Sequence, residues 1–360
     1  MTISKILRSL ILMRLNNSLI PVNGSSARRS GSAIRILVLL LAGIFTVPVY
    51  ASLGPIPVNC DRACLEHLID QYLHALVAHD PSSLPLSKDV KYTENNQVIQ
   101  IGDGFWKTVS AIGNYRHVFA DPEAGQVAMM GTMREADATL LMSLRLRIQL
   151  GRITEVESVY YRAGGGGPNN IAAVDQGGPP EKIWFRKIPP EKQQSRQELI
   201  AVADAYFSGL QKNDGKGVNG TGTYPFTKDC NRIENGMATT NRPRPANEAP
   251  GTLNLFAMDC LSQFKMGLYY VVQSIHDRRY TVVDRERGVV FAHSVFDQGT
   301  VNHGVLADGS KHSYRGFNRP SSILVTEAFL IYDGKIRRVE MIGPAAFYHL
   351  NSPWGGLSGD

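Results

Sequence analysis

The chain lacks the short signatures of several large enzyme classes. It has no Gly-x-Ser-x-Gly elbow, no phosphate-binding loop, no dinucleotide fingerprint and no His-Glu-x-x-His pair. Nucleophilic hydrolases, nucleotide-dependent enzymes and zinc peptidases are disfavoured on that ground. Cysteine is scarce. The four, Cys60, Cys64, Cys230 and Cys260, include no pair at Cys-x-x-Cys spacing and no accompanying His pair, so a metal site is not expected. An even number in an exported chain suggests two disulfides. Cys60 with Cys64 would staple the entrance of the first helix, and Cys230 with Cys260 would tie a strand to a helix; four free or buried thiols are the alternative.

Charge of one sign is also missing once the first residues are set aside. Arg28, Arg29 and Arg35 precede an apolar run, Ile36 to Val49, that meets Val49-Tyr50-Ala51. This reads as a secretory leader over residues 1–51, and the run is too short for a comfortable membrane span. The leader holds six basic residues and no acidic one, out of 38 Lys+Arg and 32 Asp+Glu in all. The remainder is therefore formally neutral, which removes the main support for nucleic acid or an anionic membrane as partner. A secreted or periplasmic location is expected.

What the sequence does contain is a duplication. Lys88-Asp89 to Glu94-Asn95 returns as Lys228-Asp229 to Glu234-Asn235. Asp70-Gln71-Tyr72 to Leu76 and Asp80 parallels Asp204-Ala205-Tyr206 to Leu210 and Asp214. Asp121 to Gly125 parallels Asp284 to Gly288, and Gly151-Arg152-Ile153 to Glu157 parallels Gly334-Lys335-Ile336 to Glu340. Four matches in one order mark a duplicated domain. We expect a first domain over 52–162, a Gly/Pro-rich linker without regular structure over 163–194 with Trp184 and Phe185 pinning it to a surface, and a second domain over 195–360.

Within each copy, apolar residues recur first at three and four, as in Leu65, Leu68, Ile69, Tyr72, Leu73 and Leu76. That predicts one amphipathic helix. A short strand, a short helical turn with Phe105 and Trp106, and a run of strands should follow. The offset between copies grows along the chain, so the second carries insertions after Asp214, after Gly236 and between Asp297 and Pro320; their Gly, Asn and Pro content predicts loops.

The order of elements predicts an α+β fold, with helices over one face of a curved, mostly antiparallel sheet. Tyr72-Leu73-His74-Ala75-Leu76 with His79-Asp80, then Leu84-Pro85-Leu86 and Asp89-Val90, resembles the opening of the nuclear transport factor 2-like, or SnoaL-like, superfamily. Cys60 to Cys64, Tyr92 to Asn95, Tyr115-Arg116-His117, Phe119 to Pro122 and Arg232 to Gly236 resemble a family of secreted fungal and bacterial tandem SnoaL-like proteins of unassigned function. The family pattern has His after Phe296-Asp297, where this chain has Gln298. The resemblance implies two cone-shaped domains; relatives perform cofactor-free proton transfer in an apolar cone or only bind ligands, and fold alone does not choose.

Candidate catalytic residues in the first copy are Tyr92, Glu94 and His117, with Trp106 binding substrate. Tyr92 and Glu94 share a strand face, and a carboxyl among aromatics is pushed toward neutrality, which suits acid–base work. The plainer reading makes them turn-capping and sheet residues. In the second copy the candidates are Glu234, His293 and Asp297 for catalysis and Arg232, Asn235, His276 and Arg278 for substrate, His276 and Arg278 being expected on one face. Arg279 and the Asp284–Arg287 turn read as exposed hairpin ion pairs. Met130 aligns with His293 and Arg134 with Asp297, so the second copy has the fuller set. The expected activity is an exported, cofactor-independent lyase, dehydratase or isomerase acting on a small hydroxylated or carbonyl-bearing molecule; the alternative is a protein that only binds such a ligand or a partner. Sheets packed back to back would make an internal pseudo-dimer.

Overall fold

The structure, a computed structural model, describes residues 60–164, 169–249, 251–314 and 319–355. The expected leader lies outside the described residues. Among those described, no helix is long and apolar enough to cross a membrane.

Asp61 opens α1 (Arg62–Val77) by accepting the Cys64 amide, and the Cys60–Cys64 disulfide closes the same turn. The three-and-four stripe is the buried face of α1. β1 (Leu86–Glu94) and β2 (Gln97–Ile99) follow as a hairpin whose two turn residues, Asn95 and Asn96, both have positive φ. A single helical turn, Gly104–Lys107, leads to β3 (Val109–Asp121), β4 (Gln126–Glu135), β5 (Ala138–Gln149) and β6 (Arg152–Tyr161). The sheet runs β2-β1-β6-β5-β4-β3, with β1 and β6 parallel and every other pair antiparallel.

The connection between copies is not structureless. It contains α2 (Ile171–Gln176) and two single helical turns, because Asp175 gives the chain an anchor: it accepts from the Asn114 amide at 2.8 Å and from Arg134 at 2.8 Å. Trp184 is buried there, and Phe185, 40 % exposed, packs under the Arg287 guanidinium.

The second copy repeats the plan. Ser195 and Glu198 form a capping box at α3 (Arg196–Leu210). β7 (Phe226–Glu234), β8 (Met237–Ala238), α4 (Cys260–Lys265), β9 (Val272–Asp284) and β10 (Val289–Gln298) follow. The insertion after β10 is not all loop, since β11 (His303–Val305) pairs with β12 (Lys311–Ser313). β13 (Ser321–Tyr332), β14 (Lys335–Ile342) and β15 (Ala345–Ala346) complete the chain. The order is β8-β7-β14-β13-β10-β9, again with one parallel pair, β7 and β14. The Cys230–Cys260 disulfide joins β7 to α4, so both expected pairings form.

The repeated Glu-Asn phrase now has a structural meaning. Asn95 brackets Tyr160, accepting its amide at 2.8 Å and reaching its carbonyl, and Asn235 brackets Gly343 in the same way. Each clamps the first hairpin to the end of the last long strand.

Strand alternation divides the interior into three clusters. One fills the concave side of the first sheet under α1, and a second fills the concave side of the other sheet under α3. The third, with Phe119, Met130, Leu141, Val282, Phe291 and Leu330, takes its residues from the outward faces of both sheets. Ion pairs cross this contact in reciprocal fashion. Arg62, which opens α1, forks onto Asp284 at the end of β9, and Arg196, which opens α3, binds Asp121 at the end of β3. Glu157 of β6 binds Arg279 of β9, while Glu340 of β14 binds His117 of β3. These are the reciprocal contacts of a two-fold dimer, made within one chain. They also correct the expectation of exposed hairpin pairs: Asp284 is 2 % exposed, and Arg279 reaches a buried carboxylate.

Candidate functional site

Cone 1 is closed by its own aromatic residues. Tyr72, Tyr92, Trp106 and Tyr160 are buried, with the Trp106 indole donating to the Tyr72 hydroxyl at 3.2 Å. Glu94 accepts from Tyr92 and from the Phe105 amide at 2.8 Å, so it fastens the Gly104–Lys107 turn to β1. Burial pushes its carboxyl above the ordinary range against those two hydrogen bonds. Gly104, at φ +63°, lies so close that a side chain there would strike the Glu94 carboxylate. Tyr92, Glu94 and Trp106 are thus together, as expected, in a packed arrangement. His117 is not with them. Its neighbour Arg116 reaches Asp70 of α1, and His117 takes the outward face of β3, where its Nδ1 lies 2.7 Å from Glu340 and its ring packs on Trp184 and Phe119. Glu94 and His117, both expected to be catalytic, therefore lie on opposite faces of the sheet.

Cone 2 differs in what lines it. Arg232, buried, donates to Gln263 at 3.1 Å, to Tyr269 and to Glu234, and its Nε has no partner. Burial opposes its charge, but Glu234 together with Tyr206, Tyr269 and Glu327 more than offsets that and keeps it protonated. Gln263 of α4 in turn donates to the carbonyls of Thr239 and Leu255, tying the inserted segment to the cone. β13 contributes a carboxyl that the sequence reading passed over. Glu327 is 2 % exposed, its Oε2 has no partner, and it lies on the concave face between Val325 and Phe329. Burial pushes its pKa up to about 8; the Arg232 charge resists this, the charge of Glu234 adds to it, and a hydrogen bond from Tyr206 of α3 resists it. By alternation with Ala292 and Phe296, Ser294 of β10 faces the same space, and its hydroxyl also lacks a partner. The register identifies the corresponding wall of cone 1: Met129 pairs with Leu144 as Ala292 pairs with Glu327, so the first copy has an apolar side chain where the second has a carboxyl. A lone acid in Leu324–Leu330 was a readable signal.

Asn235 is spent on its clamp and does not face cone 2. His293 also points elsewhere, into the contact between sheets, with Nδ1 3.2 Å from Glu157. Burial pushes its pKa down to about 4. Burial alone would raise Glu157, but the guanidiniums of Arg279 and Arg145 hold it well below the carboxylate range. A void of about 10 Å³, room for a single water, lies beside them. A larger groove of about 250 Å³ lies where the connection crosses both sheets, lined by Tyr115, Val174, Pro180, Trp184, Arg338 and Glu340.

His276 and Arg278 do not share a face. Asp277 adopts φ 52°, and the register slips there: Val295 pairs with His276 and His293 with Arg279, leaving two residues against one. The bulge turns Arg278 toward α3, where it binds Asp204 at 3.0 Å and Ser208 at 2.9 Å. It turns His276 toward Asp297, 3.3 Å away, and Asp297 also meets His349 at 2.6 Å. Of the expected set, then, only Arg232 and Glu234 meet in cone 2.

Solved structures with a similar sheet include an NTF2-like protein of unknown function from Cytophaga hutchinsonii, at 13% identity over 27% of this chain and 89% of that one, TM-score 0.23. A putative polyketide cyclase from Silicibacter sp. is 20% identical over 27% and 88%, TM-score 0.23. A steroid delta-isomerase from Pseudomonas aeruginosa is 13% identical over 30% and 85%, TM-score 0.24. A search among curated proteins found no match. Each half repeats one α+β plan, a helix over the concave face of a mixed sheet with a single parallel pair of strands. The sequence matches the family described as Domain of unknown function (DUF8021) over residues 59–160 and 192–343. Those two segments span most of both sheets, and the chain belongs to that family.

Proposed function

We propose that cone 2 is the working site of a cofactor-independent acid–base catalyst, a lyase, dehydratase or isomerase for a small hydroxylated or carbonyl-bearing molecule. The observation that carries this reading is Glu327: a buried carboxyl with an unpartnered oxygen, standing where the other copy has Leu144. Near neutral pH it keeps its proton and donates to a carbonyl or departing hydroxyl oxygen, with Tyr206 beside it as a second donor. Glu234, paired with Arg232, is the acceptor for the proton leaving carbon. Two carboxyl groups in one cone with opposite environments divide the acid and base roles. Arg232, Tyr269 and Gln263 fix Glu234 in place and form the polar end of an otherwise apolar core.

Tandem domains exported by a leader and stapled by two disulfides would meet this substrate outside the cytoplasm. The test is product detection by mass spectrometry with hydroxy-ketones, polyketide-like aromatics, lignin-type dimers and uronate oligosaccharides. Loss of water or an isomer of new retention time is expected, and Glu327→Gln should reduce its rate by about 10²–10⁴-fold. Undiminished product from Glu327→Gln overturns the assignment. The groove of about 250 Å³ supports a second reading, a protein that binds a small ligand without turning it over. Adducts that form without any product, and that survive Glu327→Gln but not Trp184→Ala, would favour it.

A further inference from the structure

The bulge at Asp277 assembles a group that the chemistry of cone 2 does not use. His276 of β9, Asp297 of β10 and His349 of the C-terminal segment each offer one donor atom, and the three lie within 4.8 Å of one another. Asp297, 1 % exposed, is oriented by others: its Oδ1 takes the Ser322 hydroxyl at 2.5 Å and the His349 amide at 3.2 Å. That leaves Oδ2 facing both imidazoles, 3.3 Å from His276 Nε2 and 2.6 Å from His349 Nδ1. On the far side of the His276 ring, Nδ1 lies 3.3 Å from Asp277, which is itself held by the Ser352 amide at 2.7 Å. The ring thus stands between two carboxylates, each 3.3 Å away, and a proton on Nδ1 toward Asp277 leaves the Nε2 lone pair free for a ligand. That Nε2 is buried, and no hydrogen bond satisfies it.

We propose that His276 Nε2, Asp297 Oδ2 and His349 Nδ1 bind a first-row divalent cation of the zinc class. Two imidazoles and one carboxylate are the donor set of such ions, and Asp277 behind His276 is the outer carboxylate that orients and strengthens a histidine ligand. The spacing fits. Metal–ligand bonds of about 2.0–2.1 Å in tetrahedral array separate the ligand atoms by about 3.3 Å. The His276–Asp297 pair already has that separation, and the His349 contact must open by about 0.7 Å from its hydrogen-bonded distance. His349 is largely exposed, so its ring has room to swing and the ion keeps a face toward water. The ion would also fasten the C-terminal segment to both strands. That segment carries Trp354, whose indole donates to Thr93 at 3.0 Å and whose ring covers Lys91 and Arg145 of the first sheet.

Isothermal titration of the chelator-stripped protein with Zn(II), paired with Co(II) absorption to report imidazole ligation, tests this. One equivalent is expected to bind, to raise the thermal midpoint, and to vanish in His349→Ala, an exposed position at which folding is retained. Asp277→Asn, which keeps the acceptor for Ser352 but not the charge, should weaken binding about 10–100-fold. Absence of a bound equivalent in the wild type, or an equivalent that persists unchanged in both His349→Ala and Asp297→Asn, overturns the proposal. Neither outcome touches the assignment of Glu327, which lies on the concave face.

Discussion

Replacing Glu327 by Leu should stabilise the protein while abolishing its chemistry. The second copy would then carry the residue that the first copy already has at Leu144. The folded-state pKa of Glu327 is raised from 4.5 to about 8, so between those values the folded chain holds a proton that the unfolded chain has released. Folding then takes up a proton, and stability falls as pH rises through that window. Integrating the two titrations, the penalty is roughly 1 kcal/mol at pH 5 and roughly 4 kcal/mol at pH 8. Leucine removes it and adds apolar burial against Val325 and Phe329. The variant should therefore gain about 3 kcal/mol more over wild type at pH 8 than at pH 5. Urea unfolding of both proteins at pH 5, 6.5 and 8 measures this directly. Parallel pH dependences in the two proteins would refute the reasoning, because they would mean that Glu327 titrates alike folded and unfolded.

Gly104→Ala should destabilise by roughly 2 kcal/mol or more, from the positive φ and from displacement of the Glu94 carboxylate, and a lower urea midpoint would register it. Glu157→Gln leaves the buried Arg145 and Arg279 facing a neutral amide, so a loss of about 3 kcal/mol in thermal unfolding is expected. Removing Cys230–Cys260, which closes a separation of 30 residues, should cost roughly 3.5 kcal/mol, against roughly 2 for Cys60–Cys64 with its separation of 4. Paired Cys→Ser variants compared by denaturant midpoint would settle the order. If the rate in cone 2 depends on a protonated Glu327, it should fall as pH rises through about 8, and a rate that climbs instead would make that carboxyl the base.

The duplication, the helix stripes, the strand order and the disulfide pairs were legible because each rests on local pattern: a period, a turn or a spacing. The site was legible only in part. Arg232 and Glu234 share a face by simple alternation on an undistorted strand end, and the structure keeps them together. His276 and Arg278 should have done the same, but one inserted residue, Asp277 in the left-handed region, reverses the alternation beyond it. His117 and His293 fell on the wrong side of their sheets because nothing local says which face of a wholly buried strand meets a helix and which meets another sheet. His349 joins Asp297 across more than fifty residues of chain, a contact no spacing rule contains. Glu327 is different. It was visible as a solitary acid in an apolar strand, and comparing the copies column by column would have set it against Leu144.

The reciprocal pairs Arg62–Asp284 and Arg196–Asp121 carry a last consequence, one of inheritance. In an assembly of two identical chains, every mutation arrives twice, and a change that suits one cavity is imposed on the other. Joining the halves end to end keeps the mutual embrace and lifts that rule. One half is then free to fill its cavity with tyrosine and tryptophan and serve as ballast. The other can hold a costly buried acid, with the stability it forfeits supplied by its twin.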